Sequence, residues 1–181
     1  MSQIAMIFRR FASSQANDQL SINAKKWFDE GLTKWNKEDI QGALECFEKS
    51  VLIKPTADAH YNLANCYHSQ GKHTKAIVQW KHSVDLVPRA DSYCNIANAH
   101  ALIHGDRVAA LPYYEKALKM APEDGEIHFN FAAVLDADSG DDQSKLEKAV
   151  LHYQKARQLG ISQADKNLRN ALARLAGMKS I

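Results

Sequence analysis

The sequence predicts an all-α fold, an α-solenoid of about four helix-turn-helix repeats closed by a C-terminal helix, and three observations carry that reading. A pattern of small and bulky residues recurs four times, apolar residues fall three and four apart within it, and Pro55, Pro88, Pro122 or Gly160 follows each copy. The small residue of each second half gives the period: Ala43 to Ala76 is 33 residues, Ala76 to Ala110 is 34, and Ala110 to Ala149 is 39, the last holding an insertion.

Composition sets the frame. With 181 residues, 45% hydrophobic and 24% charged, and only 8 Gly and 4 Pro, the chain suits one folded domain and not a disordered one. A formal net charge of +2 gives no field that calls for a nucleic acid or an anionic membrane. Cys46, Cys66 and Cys94 stand singly in helical patterns without CxxC or CxxH spacing, so they are expected as buried reduced thiols and not as disulfides or zinc ligands. No apolar run is long enough to cross a membrane.

Residues 1–17 differ in kind from the rest. They carry Arg9 and Arg10, apolar Ile4, Met6, Ile7, Phe8 and Phe11, a Ser-rich run after Ala12, and no acid before Asp18. This segment resembles a mitochondrial presequence, and Arg9-Arg10-Phe11 resembles a processing site. The expectation is therefore a mitochondrial location, with a frayed, mildly basic N-terminus of a cytoplasmic protein as the alternative.

The array is expected over residues 24–160, with repeats at about 24–56, 57–89, 90–123 and 124–160. The first is the weakest: Trp27-x2-Glu30-Gly31-x2-Lys34 keeps its aromatic and small residues, but Glu30 and Lys34 replace apolar ones. The second reads His60-x2-Leu63-Ala64-x2-Tyr67 and then Ala76-x3-Trp80. The third reads Tyr93-x2-Ile96-Ala97-x2-His100 and then Ala110-x3-Tyr114. The fourth reads His128-x2-Phe131-Ala132-x2-Leu135 and then Ala149-x3-Tyr153.

Small residues recurring on both halves let two helices approach closely, and the bulky Phe47, Trp80, Tyr114 and Tyr153 fill the space between neighbouring pairs. Gly71 and Gly105 suit left-handed helix ends, while Pro112, inside a second helix, is expected to distort it. Residues 161–178 form an amphipathic helix, with Leu168, Ala171, Leu172 and Leu175 on one stripe, that caps the last apolar face.

The pattern resembles the tetratricopeptide-repeat (TPR) family, whose signature is W-x2-L-G-x2-Y, then A-x3-F, then P at a period of 34. The resemblance covers about three quarters of the chain, residues 24–160. It implies a scaffold that binds proteins, whose first helices line a concave groove. In several peptide-binding members, asparagines just before the apolar-plus-small pair grip an extended backbone. Here those are Asn62, Asn95 and Asn130, joined by Asn65 and Asn98 three residues after the first two. An amide both donates and accepts, so it can pair with a peptide backbone without reading its sequence.

The places where another branch of the family grips a chaperone's C-terminal carboxylate hold Phe28, Leu32, Asn62, Asp91 and Asn95, with no cation, so that partner is not expected. Asp136, Asp138, Asp142 and Glu147 mimic a calcium loop, but Gly140 comes one residue early and a ligand is missing, so these acids are expected as solvated residues of the insertion. His100 and His104 have ligand spacing but no third ligand nearby. No nucleophile, phosphate-loop or dinucleotide motif appears, so neither catalysis nor a cofactor is expected.

The functional expectation is a scaffold holding an extended segment of a partner protein in the groove. The alternative is a constitutive structural subunit or assembly factor of a larger mitochondrial complex.

Overall fold

The computed structural model describes residues 3–178, with side chains from Gln15 onward. The arginines and apolar residues of the expected targeting segment lie outside the described side chains. Among the described residues there are nine α-helices and no strand, so the fold is all-α and built of helical hairpins. The helices fall into two compact units, residues 1–87 and 88–181.

The first unit holds α1 (Gln3–Trp35), α2 (Ile40–Ile53), α3 (Ala57–Ser69) and α4 (His73–Leu86). Helices α1 with α2 and α3 with α4 form hairpins, and α2 also packs on α3. Each expected small residue sits where the pattern needs it. A Cβ on Gly31 would stand 2.7 Å from Cε1 of Phe47, so only glycine admits that ring against α1.

The weak first repeat is resolved in a way its motif does not suggest. Glu30 and Lys34 pair with each other at 3.8 Å, and Phe28, Leu32 and Trp35 carry the packing onto Phe47, Leu44 and Leu63. Asp39 and Thr56 cap α2 and α3 by accepting from the amides of Gly42 and Ala59.

One buried bond repeats between the hairpins. Ser50 Oγ donates to the carbonyl of Ala24, and Ser83 Oγ donates to that of Ala57, each at 2.9 Å and 26 residues apart. A hydroxyl in the second helix thus satisfies a carbonyl of the first in both repeats.

The second unit holds α5 (Ala90–Asn98), a π-helical turn (Ala99–Ile103), α6 (Arg107–Met120), α7 (Gly125–Ser139), α8 (Gln143–Gln158) and α9 (Ala164–Met178). Helix α6 runs through Pro112 without a break; Pro112 is exposed, where water can serve the carbonyl it leaves unpaired. The irregular turn lies in the helix before it, and the sequence gives the reason. Gly31 to Ala43 and Ala64 to Ala76 are each 12 residues, whereas Ala97 to Ala110 is 13. The π turn, with His104 N bonding Ala99 O at 3.2 Å, absorbs the added residue and returns α6 to register.

The insertion in the fourth repeat lengthens the hairpin and does not make a loop. Asp136 and Asp138 lie inside α7, which ends at Gly140 with φ of +48°. Both acids are paired, Asp138 with Lys145 at 2.8 Å and Asp136 with Arg174 of α9. The Arg174 guanidinium also donates to Ser139 Oγ at 3.0 Å and Gly140 O at 3.3 Å, so the last helix closes the C-terminus of α7. Helix α9 buries Ala164, Leu168 and Ala171 against α8 and α7, as a cap should.

Candidate functional site

The structure sorts the five expected asparagines into two kinds. Asn65 and Asn98, each one residue after the small alanine, hold their own hairpins. Asn65 Oδ1 accepts from Trp80 Nε1 at 3.1 Å, and Asn98 Oδ1 accepts from the Tyr114 hydroxyl at 2.5 Å. Trp80 and Tyr114 are the bulky residues of the second helices, and both are buried. A buried ring with a polar atom needs a partner, and the asparagine supplies one. In the fourth repeat Asp136 does the same work, with Tyr153 OH at 3.4 Å from its Oδ2.

Asn62, Asn95 and Asn130 are half-buried. Asn62 donates to the carbonyl of Asp58 at 2.9 Å. Asn130 bonds the Cys94 thiol, which burial pushes up to about 11. All three share one register: residues three before, one after and four after are buried, as with Ala59, Leu63 and Cys66 around Asn62. Those offsets put each amide at the edge of the apolar stripe and on the same side of it.

A fourth residue shares that register. Asn167 in α9 precedes Leu168, and Ala164, Leu168 and Ala171 are buried around it. Its amide lies 3.4 Å from the Tyr153 hydroxyl. The motif search missed it because α9 has no second half; the Asn-Leu pair, also present at Asn62-Leu63, was the available signal. The second unit thus carries three equivalent amides, Asn95, Asn130 and Asn167, on α5, α7 and α9.

Histidines fill another equivalent place. His60 Nδ1 lies 2.7 Å from Gln79 Oε1, and His128 Nδ1 lies 2.8 Å from His152 Nδ1, with Gln79 and His152 each three residues after the small alanine of the second helix. His60 and His128 are both 8% exposed, which makes them packing residues. His100 and His104 have ring centroids 6.2 Å apart, and no group of three metal-ligating side chains occurs among the described residues.

Cys46, Cys66 and Cys94 are buried free thiols, and desolvation raises Cys66 to about 12. A thiol held protonated in this way is a poor nucleophile. No described helix is long and apolar enough to cross a membrane.

Two sequence families, both described as "Tetratricopeptide repeat", match the chain, one over residues 55–123 and the other over residues 28–80. No curated protein matches it. Among solved structures the chain is similar to MamA protein at a TM-score of 0.69 and 21% identity, over 86% of this chain and 89% of that one. MamA from Desulfovibrio magneticus RS-1, residues 41 to the end, is similar at a TM-score of 0.68 and 17% identity, over 87% of this chain and 96% of that one. YrrB, "a TPR protein with an unusual peptide-binding site", gives 0.64 and 16% identity, over 91% of this chain and 89% of that one. At these identities the likeness speaks for the fold.

Proposed function

Because the chain belongs to the tetratricopeptide-repeat family, we propose that it is a protein-interaction scaffold whose first helices hold an extended segment of a partner through Asn62, Asn95 and Asn130. The observation that carries this reading is the shared register: each of these amides stands at the same edge of its helix's buried stripe. Asn65 and Asn98 serve this reading as positioning residues, because each amide is tied to a buried ring of its own hairpin. That YrrB, a protein of the same fold, has a peptide-binding site adds support of the same kind. The scaffold carries no reaction of its own and takes no cofactor. Its site of action is the mitochondrion, on the strength of Arg9, Arg10 and the acid-free, Ser-rich segment 1–17.

Affinity purification of the tagged chain from its own cells tests both parts. Partners should be lost when Asn62, Asn95 and Asn130 are changed together to Ala, and the recovered chain should begin near Ala12. Unchanged partners would overturn the site, and an intact Met1 on a cytoplasmic pool would overturn the location.

One observation favours a second reading, a constitutive subunit or assembly factor of a larger complex. Leu102 and Val108 are 72% and 67% exposed on either side of one hairpin turn. Co-purification at fixed stoichiometry through high salt, unaffected by the asparagine changes, would select it.

A further inference from the structure

In the second unit α6 and α8 each pack on α7, and an open groove of about 480 Å³ lies between them. Its floor presents rings and carbon. Phe131 is held by Tyr114 and His152, with ring centroids 5.4 and 4.8 Å away, and half-buried Leu118 completes the floor. Burial and the neighbouring His128 hold His152 down at about 4, so at neutral pH its ring adds no charge. The charge stands on the walls: exposed Glu115 and Lys119 on α6, and exposed Lys148 on α8. The lysines of these two helices divide cleanly. Lys145 is paired with Asp138 and Lys155 with Glu123, and Lys116 lies over the rings of Tyr93 and Tyr113. Lys119 and Lys148, the two that line the groove, make no ion pair or hydrogen bond among the described residues, and neither does Glu115. Glu115 can offset Lys119 from one turn away. Lys148 has Ser144, Lys145, Leu151 and His152 three and four residues from it, so its own helix face offers it no acid.

We propose that this groove is a docking site for a partner segment in which an apolar side chain is flanked by acidic residues. The apolar side chain covers Phe131 and Leu118 and gains by leaving water, while the carboxylates answer Lys148 and Lys119. A basic segment would bring like charge to both lysines, with Glu115 alone among the lining residues to receive it. The groove is walled by the second helices α6 and α8, whereas Asn62, Asn95 and Asn130 stand on the first helices α3, α5 and α7. It therefore goes beyond the asparagine reading and does not depend on it.

The test is an amide NMR titration of the full chain, at neutral pH and low ionic strength, with short Gly/Ser peptides carrying a central Glu-Phe-Glu, Lys-Phe-Lys or Glu-Gly-Glu. The Glu-Phe-Glu peptide should shift Leu118, Phe131 and Lys148 saturably, and either replacement should weaken binding by about fivefold. Lys148→Glu should weaken the Glu-Phe-Glu peptide to a similar extent. Lys37→Glu, at an exposed residue between α1 and α2 of the first unit, changes the net charge equally and should leave the affinity as it is. Both changes are on exposed side chains, and urea midpoints equal to the parent's check that the fold is kept. Absence of saturable shifts at these residues, equal binding of the Lys-Phe-Lys or Glu-Gly-Glu peptide, or an effect of Lys148→Glu no larger than that of Lys37→Glu would overturn the assignment.

Discussion

His152 donates its Nδ1 proton to Nδ1 of His128, 2.8 Å away, and the direction of that bond is fixed by a third atom. His128 Nε2 lies 3.0 Å from the carbonyl of Pro122, which can only accept, so Nε2 carries a proton and the neutral His128 ring offers its Nδ1 lone pair. The pair joins α8 to α7 and to the turn before it.

This pair makes the second unit acid-sensitive. Burial and the neighbouring His128 lower His152 from 6.5 to about 4. The folded state disfavours the proton that the unfolded chain accepts, so stability is fully present above pH 6.5 and is lost as pH falls from 6.5 toward 4. His152→Gln recreates the His60–Gln79 pair of the second repeat and should flatten that dependence. Chemical denaturation at neutral and mildly acid pH measures it, and an equal loss in both proteins would count against the pair.

The two kinds of asparagine should separate on stability. Asn65→Ala and Asn98→Ala each strand a buried ring donor, Trp80 Nε1 or the Tyr114 hydroxyl, and should cost about 1–2 kcal/mol. Asn62→Ala and Asn95→Ala should stay within about 0.5 kcal/mol. Urea midpoints of the four variants decide this. Equal destabilisation by all four would remove the distinction.

Arg174→Ala should loosen the end of α7. It uncaps the carbonyl of Gly140, leaves the Asp136 carboxylate with the Tyr153 hydroxyl alone and removes the donor to Ser139 Oγ, at a cost of about 1–3 kcal/mol. Hydrogen exchange should rise first at the C-terminal end of α7 and in α9. Unchanged exchange there would show that apolar burial alone holds the cap.

Gly31→Ala pits helix propensity against packing. Alanine is worth about 1 kcal/mol in a helix interior, but its methyl would meet Phe47 Cε1 at 2.7 Å. Overpacking of this kind costs about 1–3 kcal/mol, so the variant should be less stable, and Phe47→Leu should partly rescue it. A Gly31→Ala protein more stable than the parent would mean that the ring shifts freely.

What the sequence made legible was local. The small residues, the bulky ones and the stops recur at fixed offsets along single helices, whereas the irregular turn, expected at Pro112, falls instead at Ala99–Ile103. Contacts across helices were not legible. Asn98 meets Tyr114 and His128 meets His152 across a hairpin, and Arg174 reaches back 38 residues to Asp136, so their roles appear only once helices pair. Asp136 and Asp138, expected as solvated acids of the insertion, became paired helix residues for that reason. Asn167 was hidden differently, since it obeys the register in a helix that no second half completes.

The most direct test of the scaffold reading is the binding isotherm of a captured partner segment with the parent chain and with the variant in which Asn62, Asn95 and Asn130 are all Ala, each checked for an unchanged melting temperature. The account predicts that affinity falls by about tenfold or more while the fold stays intact. Equal affinity in a folded variant would contradict it.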